Sequence, residues 1–155
     1  MNRPPGRIAG IDFGTVRIGI AISDAGQSIA SPHETFERRG EAENRKRFER
    51  LVQEEQITRF VVGLPVHLHG GESAKSVEAR RFGEWLGATT GVPVEYFDER
   101  FTTHDAQLAL AEAQLSKKKR KARLDKLAAQ IMLTAYLEVL RTNPRSLDEP
   151  LRGLD

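Results

Sequence analysis

The stretch Arg7–Asp24, RIAGIDFGTVRIGIAISD, constrains the fold more than any other. Ile18, Ile20 and Ile22 recur at every second residue, the period of a strand, and Ile8 and Ile11 add β-branched weight to the run before them. Between the runs lies Phe13-Gly14-Thr15-Val16, whose glycine suits a tight turn, so the segment reads as two short strands folded against each other. Asp12 falls just past the middle of the first strand. A carboxylate in an apolar strand is costly unless something offsets its charge, and a bound cation is the simplest offset.

The rest of the chain supplies the partners such a hairpin needs. Asp24-Ala25-Gly26-Gln27 marks a turn, and a third extended segment starts at Ser28 and ends near Phe36. Pro32 within it suits an edge strand, where a missing donor costs little. Glu41–Gln56 predicts an amphipathic helix with Phe48, Leu51 and Val52 on a narrow apolar stripe. Arg59–Pro65 is nearly all apolar, as expected of a strand buried on both faces in a parallel pair. Ser73 can cap a helix running to about Leu86, with Val77, Phe82, Trp85 and Leu86 inward. Pro93–Glu99 predicts a fifth strand, and Thr102, with Asp105 three residues on, can cap a helix packed through Leu108, Leu110, Ala111 and Leu115. A basic run follows, then a long, mostly apolar helix from Leu124 to Arg141, stopped by Asn143-Pro144. The order β-β-β-α-β-α-β-α-α implies an α/β fold. Its five-stranded mixed sheet would have three antiparallel strands and then parallel ones, flanked by helices, which is the ribonuclease H-like arrangement. The expected organisation is one such domain over 1–155, with a core at about 7–141 and a loosely ordered tail at 143–155.

Composition narrows the function classes. Apolar residues make up 39% and charged residues 30% of the 155, a soluble globular profile. No apolar run approaches twenty residues and the N-terminus lacks a hydrophobic signal core, so neither a membrane span nor secretion is expected. The absence of cysteine excludes disulfides, thiolate metal sites and a cysteine nucleophile, and fits a cytoplasmic protein. Net charge is only +2, yet Lys117, Lys118, Lys119, Arg120, Lys121 and Arg123 gather six of the 24 basic residues in one short run. Such a run can be a solvated loop or a phosphate-binding patch. Few aromatic residues occur and none interleaves with the basic ones, which argues against a single-strand stacking platform and for recognition of shape and backbone.

Three acids are candidates for chemistry. Asp12 lies on the first strand, Glu99 at the carboxyl end of the fifth beside Asp98, and Asp125 at the start of the last helix. Ligands of open α/β sheets gather at the carboxyl ends of strands, where a packed helix could bring Asp125 alongside. Small Ala128 and Ala129, one turn beyond Asp125, would let that helix come close. Three converging carboxylates are hard ligands suited to Mg²⁺ or Mn²⁺. Two such ions roughly 4 Å apart can activate a water and stabilise the leaving oxygen in phosphodiester hydrolysis. Each acid also has a structural reading: Asp125 as an acid in a helix's first turn, Glu99 paired with Arg100 or Arg81, Asp98 as a turn or capping group. His67 and His69 alternate in a loop, but two histidines without a third ligand are weak evidence for a metal.

GIDFGTVRIGIAISD, VVGLP, DERFTT and LDKLAAQIML, in this order and spacing, resemble the YqgF/RuvX family from about Arg7 to Arg141. That family is described as pre-16S rRNA nucleases and Holliday-junction resolvase-like proteins of ribonuclease H-like fold. The resemblance implies metal-dependent cleavage of structured nucleic acid in 5′-end maturation of 16S rRNA, within ribosome biogenesis, with Asp12, Glu99 and Asp125 as the acids. It also implies a phosphate contact from Arg17; the basic run, beside such a cleft, is placed to neutralise phosphates, with Arg100 and Lys126 adding to it. Where the family often carries Lys-Arg after the glycine turn, this chain has Val16-Arg17; where it carries Asp before Gly after GLP, this chain has His69-Gly70. Two other readings stand beside it. The phosphate loop of actin-like ATPases and sugar kinases resembles Asp12-Phe13-Gly14-Thr15, but those proteins close two lobes around a nucleotide. A non-catalytic nucleic-acid or transcription module would explain the basic run, though not clustered acids that repel phosphate. Branched DNA is the alternative substrate to structured RNA, and monomer and homodimer both remain open, a resolvase calling for a symmetric pair.

Overall fold

Five strands, β1 (Arg7–Phe13), β2 (Arg17–Ser23), β3 (Ala30–Glu37), β4 (Ile57–Leu64) and β5 (Val94–Asp98), form one sheet in the order β3-β2-β1-β4-β5. The computed structural model describes residues 6–65, 73–99 and 117–142, with side chains in the last segment from Lys126 onward. β1 pairs antiparallel with β2, and β2 with β3, whereas β1–β4 and β4–β5 are parallel. The mixed sheet expected from the element order is therefore present, with the hairpin at its centre. Pro32 lies on the edge strand β3, where the β2–β3 register shifts between Ile20 and Ala21.

Alternation along the strands divides the core. Ala9, Ile11, Ile18, Ile20, Phe60, Val62 and Leu64 pack with Phe48 of helix α1 (Glu41–Glu55) and with Phe82 and Leu86 of helix α2 (Ala74–Thr90). On the other face Ile8, Ala21, Val61 and Phe97 meet Ala129, Met132, Leu133, Tyr136 and Leu137 of helix α3 (Lys117–Thr142). Arg59 and Glu95, at the starts of β4 and β5, form an ion pair of 3.3 Å under α3. Tyr136 of α3 closes the cluster, accepting from Arg59 at 3.0 Å and donating to Glu95 at 2.5 Å. The far end of α3, near Leu140, lies by the Gly26–Ser28 turn. The helix thus runs from the carboxyl ends of β1 and β4 towards their amino ends.

Two boundaries and one side chain differ from the sequence reading. α3 begins at Lys117 rather than Leu124, because Lys, Arg and Ala are strong helix formers and nothing between them breaks the helix. The basic run is the opening of that helix and not a loop. α2 continues past Leu86 through Gly87 to Thr90 and ends at Gly91, whose φ of 73° is the left-handed conformation a helix C-terminus favours. Val77 faces outward at 36% exposure, and the inner face of α2 is carried by Ala79, Phe82, Gly83 and Leu86. The helix expected over Thr102–Leu115, and the tail 143–155, lie outside the described residues.

Candidate active site

Asp12 is one residue beyond the Ile11–Val62 pair of β1 and β4, and Gly63 holds the matching place on β4. Both belong to the α3 face by strand alternation. β4 offers no carboxylate there, so Glu99, which follows β5 directly, has to cross β4 to come near Asp12. Gly63 makes the crossing possible. A Cβ at that position would stand 2.6 Å from Glu99 Oε1 and 3.3 Å from Met132 Cγ. The glycine leaves the volume through which Glu99 passes beneath α3. Gly10 plays the same part on β1, where an added Cβ would lie 2.9 Å from Leu133 Cβ and 3.4 Å from the Ala129 carbonyl oxygen. Both glycines permit close approach, and neither is required for an unusual φ.

Asp12 and Glu99 line one cleft of about 220 Å³ at the carboxyl ends of the strands, together with Gly63, Lys75 and Glu78. Local capping fixes its second wall. Ser73 donates to the Pro65 carbonyl at 2.7 Å and accepts from the Ser76 amide at 3.1 Å, tying the first turn of α2 to the end of β4. That turn carries Lys75 and Glu78 to the cleft. Burial, the Asp12 carboxylate and the Asp98 carboxylate, in that order, push Glu99 up from its ordinary 4.5 to about 7. Asp98 itself is buried at 1% exposure. The site thus concentrates negative charge at a partly buried point.

Asp125 occupies a position of α3 four residues before Ala129 and seven before Met132, the stripe that packs on Gly10 and Gly63. The helix direction puts it towards the same end of the sheet as Asp12. Its side chain lies outside the described set, and among the described residues no three His, Asp or Glu groups converge to hold a metal. Arg17 begins β2 two residues before Gly19, the partner of Asp12, and so shares the Asp12 face. Arg100, His67 and His69 lie outside the described residues, and of Lys117–Arg123 only the helical backbone is described. Gly14, expected at a tight turn, sits where a Cβ would meet the Arg17 carbonyl oxygen at 2.6 Å, with its own amide donating to that oxygen at 2.9 Å. Sequence reasoning missed Gly10, Gly63 and Lys75. The glycines had a signal, since each interrupts an otherwise apolar strand; Lys75 had none.

Comparison with known proteins places the chain. The sequence model of a family described as RuvX, Holliday junction resolvase, matches residues 6–139. A protein of Rhodopirellula baltica named "Putative pre-16S rRNA nuclease" is 46% identical over 136 residues, covering 88% of this chain and 79% of the relative. One of Koribacter versatilis with the same name is 38% identical over 133 residues, covering 86% and 87%. Among solved structures, Thermus thermophilus RuvC in complex with a Holliday junction has a TM-score of 0.53 at 13% identity, covering 88% of this chain and 96% of that one. The Fowlpox virus resolvase with junction DNA scores 0.54 at 10% identity, covering 86% and 98%. At such identities the likeness is one of fold, and it bears out the ribonuclease H-like reading. The extent of the family match and the identity to full-length relatives show that this chain belongs to the RuvX family.

Proposed function

We propose that the protein is a metal-dependent nuclease that hydrolyses phosphodiester bonds at the 5′ end of pre-16S rRNA. The observation that carries the reading is Asp12 and Glu99 sharing one cleft across Gly63, where burial first, and then the Asp12 and Asp98 carboxylates, push Glu99 up. A pure phosphate binder gains nothing from that arrangement, because two carboxylates repel a polyanion. Two carboxylates brought into one cleft are hard oxygen donors of the kind that suits a divalent cation, Mg²⁺ or Mn²⁺. Asp12, Glu99 and Asp125 would hold it. When bound, such a cation makes a water nucleophilic near neutral pH and offsets charge on the leaving oxygen.

The chain's own residues do the rest. Glu99 must lose its proton to serve as a ligand, so proton and cation compete for it and affinity for the cation falls as the pH drops below about 7. Arg17, on the Asp12 face, and Lys75, in the cleft wall, supply positive charge to orient the backbone on either side of the cut. The basic opening of α3 and Arg100 extend that contact. Six like charges in the first turns of a helix oppose both the dipole and one another, and a phosphate backbone laid against them relieves the repulsion. The relatives' names support rRNA as substrate, and a cytoplasmic location follows from that substrate; among the described residues no helix is long and apolar enough to cross a membrane.

The family description favours a second reading, a resolvase of branched DNA. The two separate in one assay. A 16S-precursor 5′-end RNA and a four-way DNA junction are incubated in parallel with Mg²⁺ or Mn²⁺, using the wild type and Asp12→Asn. Cutting of the RNA that the substitution abolishes supports rRNA processing, and preference for the junction supports the resolvase. Binding of both without cutting in either metal would overturn the nuclease.

A further inference from the structure

A second, larger cleft of about 560 Å³ adjoins the carboxylate site, and Phe13, Thr15 and Glu78 line both. We infer that this cleft is a nucleotide subsite, which receives one unpaired nucleotide of the substrate strand next to the cut phosphate. The inference rests on the nuclease reading for the identity of the strand, and on its own geometry for the site.

The cleft is built from planar groups. The Phe13 ring stacks on Phe82 with centroids 4.5 Å apart and planes 22° apart. The Arg38 guanidinium lies over the Phe13 ring at 4.5 Å. It is held in place by donating to the Thr15 carbonyl at 2.9 Å and the Gly14 carbonyl at 3.3 Å. The stack Phe82–Phe13–Arg38 thus begins in the core and ends on an exposed guanidinium plane beside the turn that follows Asp12. Trp85, half-buried, stands against Phe82 at 5.7 Å and forms the other wall. Guanidinium planes and indoles are the surfaces on which unpaired bases stack. No aromatic–basic interleaving is visible along the sequence because Phe13, Arg38, Phe82 and Trp85 belong to separate elements, which the fold brings together.

Charge favours the same occupant. Arg38, Arg39 and Arg81 line the cleft against Glu41 and Glu78. Glu41 is engaged, accepting from Trp85 Nε1 at 3.2 Å. Among the described residues Arg39 makes only loose ion pairs, with Glu37 at 4.0 Å and Glu43 at 3.9 Å, leaving it able to meet a phosphate. The cleft volume lies within the range of small-ligand sites and exceeds what one base needs. A paired base could not enter, since its faces are covered by its neighbours in the helix. The subsite therefore selects a strand that is unpaired beside the cut, as at the end of a stem or the arm of a branch.

Trp85 is the only tryptophan of the chain, so its fluorescence reports on this cleft directly. The full-length protein is titrated in EDTA with a ten-nucleotide single-stranded RNA, and in parallel with a blunt duplex of the same sequence. The single strand should quench Trp85 and the duplex should not. Arg38→Ala should weaken the quenching titration roughly five- to a hundredfold, the range of one lost stacking contact. Arg81→Ala, on an exposed face of α2, should weaken it less and reduce its salt dependence. It serves as the second variant if removal of Arg38 disturbs the turn. Quenching without cleavage of any substrate would sink the nuclease and leave the subsite standing. Cleavage without quenching, equal quenching by the duplex, or quenching unaltered by both arginine variants would overturn the subsite and leave the nuclease untouched.

Discussion

Replacing Glu99 by glutamine should make the metal-free protein more stable and inactive at once. Glu99 is raised from 4.5 to about 7, first by burial and then by Asp12 and Asp98. Between those values the folded protein holds a proton that the unfolded chain releases, so stability falls as pH rises through the window. At 1.36 kcal/mol per pH unit the full displacement corresponds to about 3 kcal/mol of destabilisation at pH 8, and to less than about 1 kcal/mol at pH 5. Glutamine keeps the shape of the side chain and removes the charge. Urea denaturation followed by Trp85 fluorescence, in EDTA, measures the difference. At pH 8 the Glu99→Gln variant should exceed the wild type by about 2–3 kcal/mol, or roughly 5–10 °C in melting temperature. At pH 5 the two should nearly coincide. Millimolar Mg²⁺ at pH 8 should then stabilise the wild type and not the variant. A variant less stable than the wild type at pH 8, or an advantage equal at both pH values, would refute the electrostatic account of the site.

Other consequences follow from the same geometry. Affinity for Mg²⁺, read by isothermal titration, should fall below about pH 7 as Glu99 takes up its proton, and in the metal-free protein Asp12→Asn, which removes one of its two like charges, should lower the Glu99 pKa, visible by carboxyl-carbon NMR titration. Gly63→Ala should displace Glu99 and abolish cleavage at a cost of about 1–3 kcal/mol in a thermal melt, whereas an unchanged rate would show that Glu99 does not need the crossing. Tyr136→Phe removes hydrogen bonds to Arg59 and Glu95 at the far end of α3; it should lower stability by about 1–2 kcal/mol and leave the cleavage rate intact. Substituting Lys119 and Arg123 by alanine should flatten the dependence of log affinity on log salt by roughly 1–2, measured by filter binding of the precursor RNA.

Much of the fold was legible because the signals were local. The period-2 isoleucines of β2, the apolar run of β4, the Ser73 cap and Pro32 on an edge each say what their own segment does, and the order of elements then leaves few sheets to choose from. Misreadings occurred where a local signal pointed both ways. A run of lysines and arginines looks like a solvated loop by charge and like a helix by propensity, and with no breaker before Leu124 the helix prevailed. Val77 has an apolar side chain at a position that faces water, which periodicity over one short helix does not resolve. The cleft of Phe13, Arg38, Phe82 and Trp85 was invisible for a different reason: its members come from the end of β1, the segment after β3, and α2, and only tertiary contact joins them.

The acids were visible as residues, whereas their meeting depends on what is missing beside them. Read strand by strand, Glu99 is one strand too far from Asp12, because β4 separates β5 from β1 and ends without a carboxylate. An alanine at position 63 would be harmless to the strand itself and would fit its apolar run, yet its Cβ would occupy the place of the Glu99 carboxylate. The glycine thus weakens β4 locally, by removing a side chain that could pack, in order that a charged group may be buried against a like charge. Both changes reduce stability, and neither is explained by folding alone. A sequence selected only for stability would close the gap with a methyl group and move the acid to the surface. That this chain does neither is the physical reason to look for a cation between Asp12 and Glu99, since a divalent ion turns the repulsion of the two carboxylates into shared attraction.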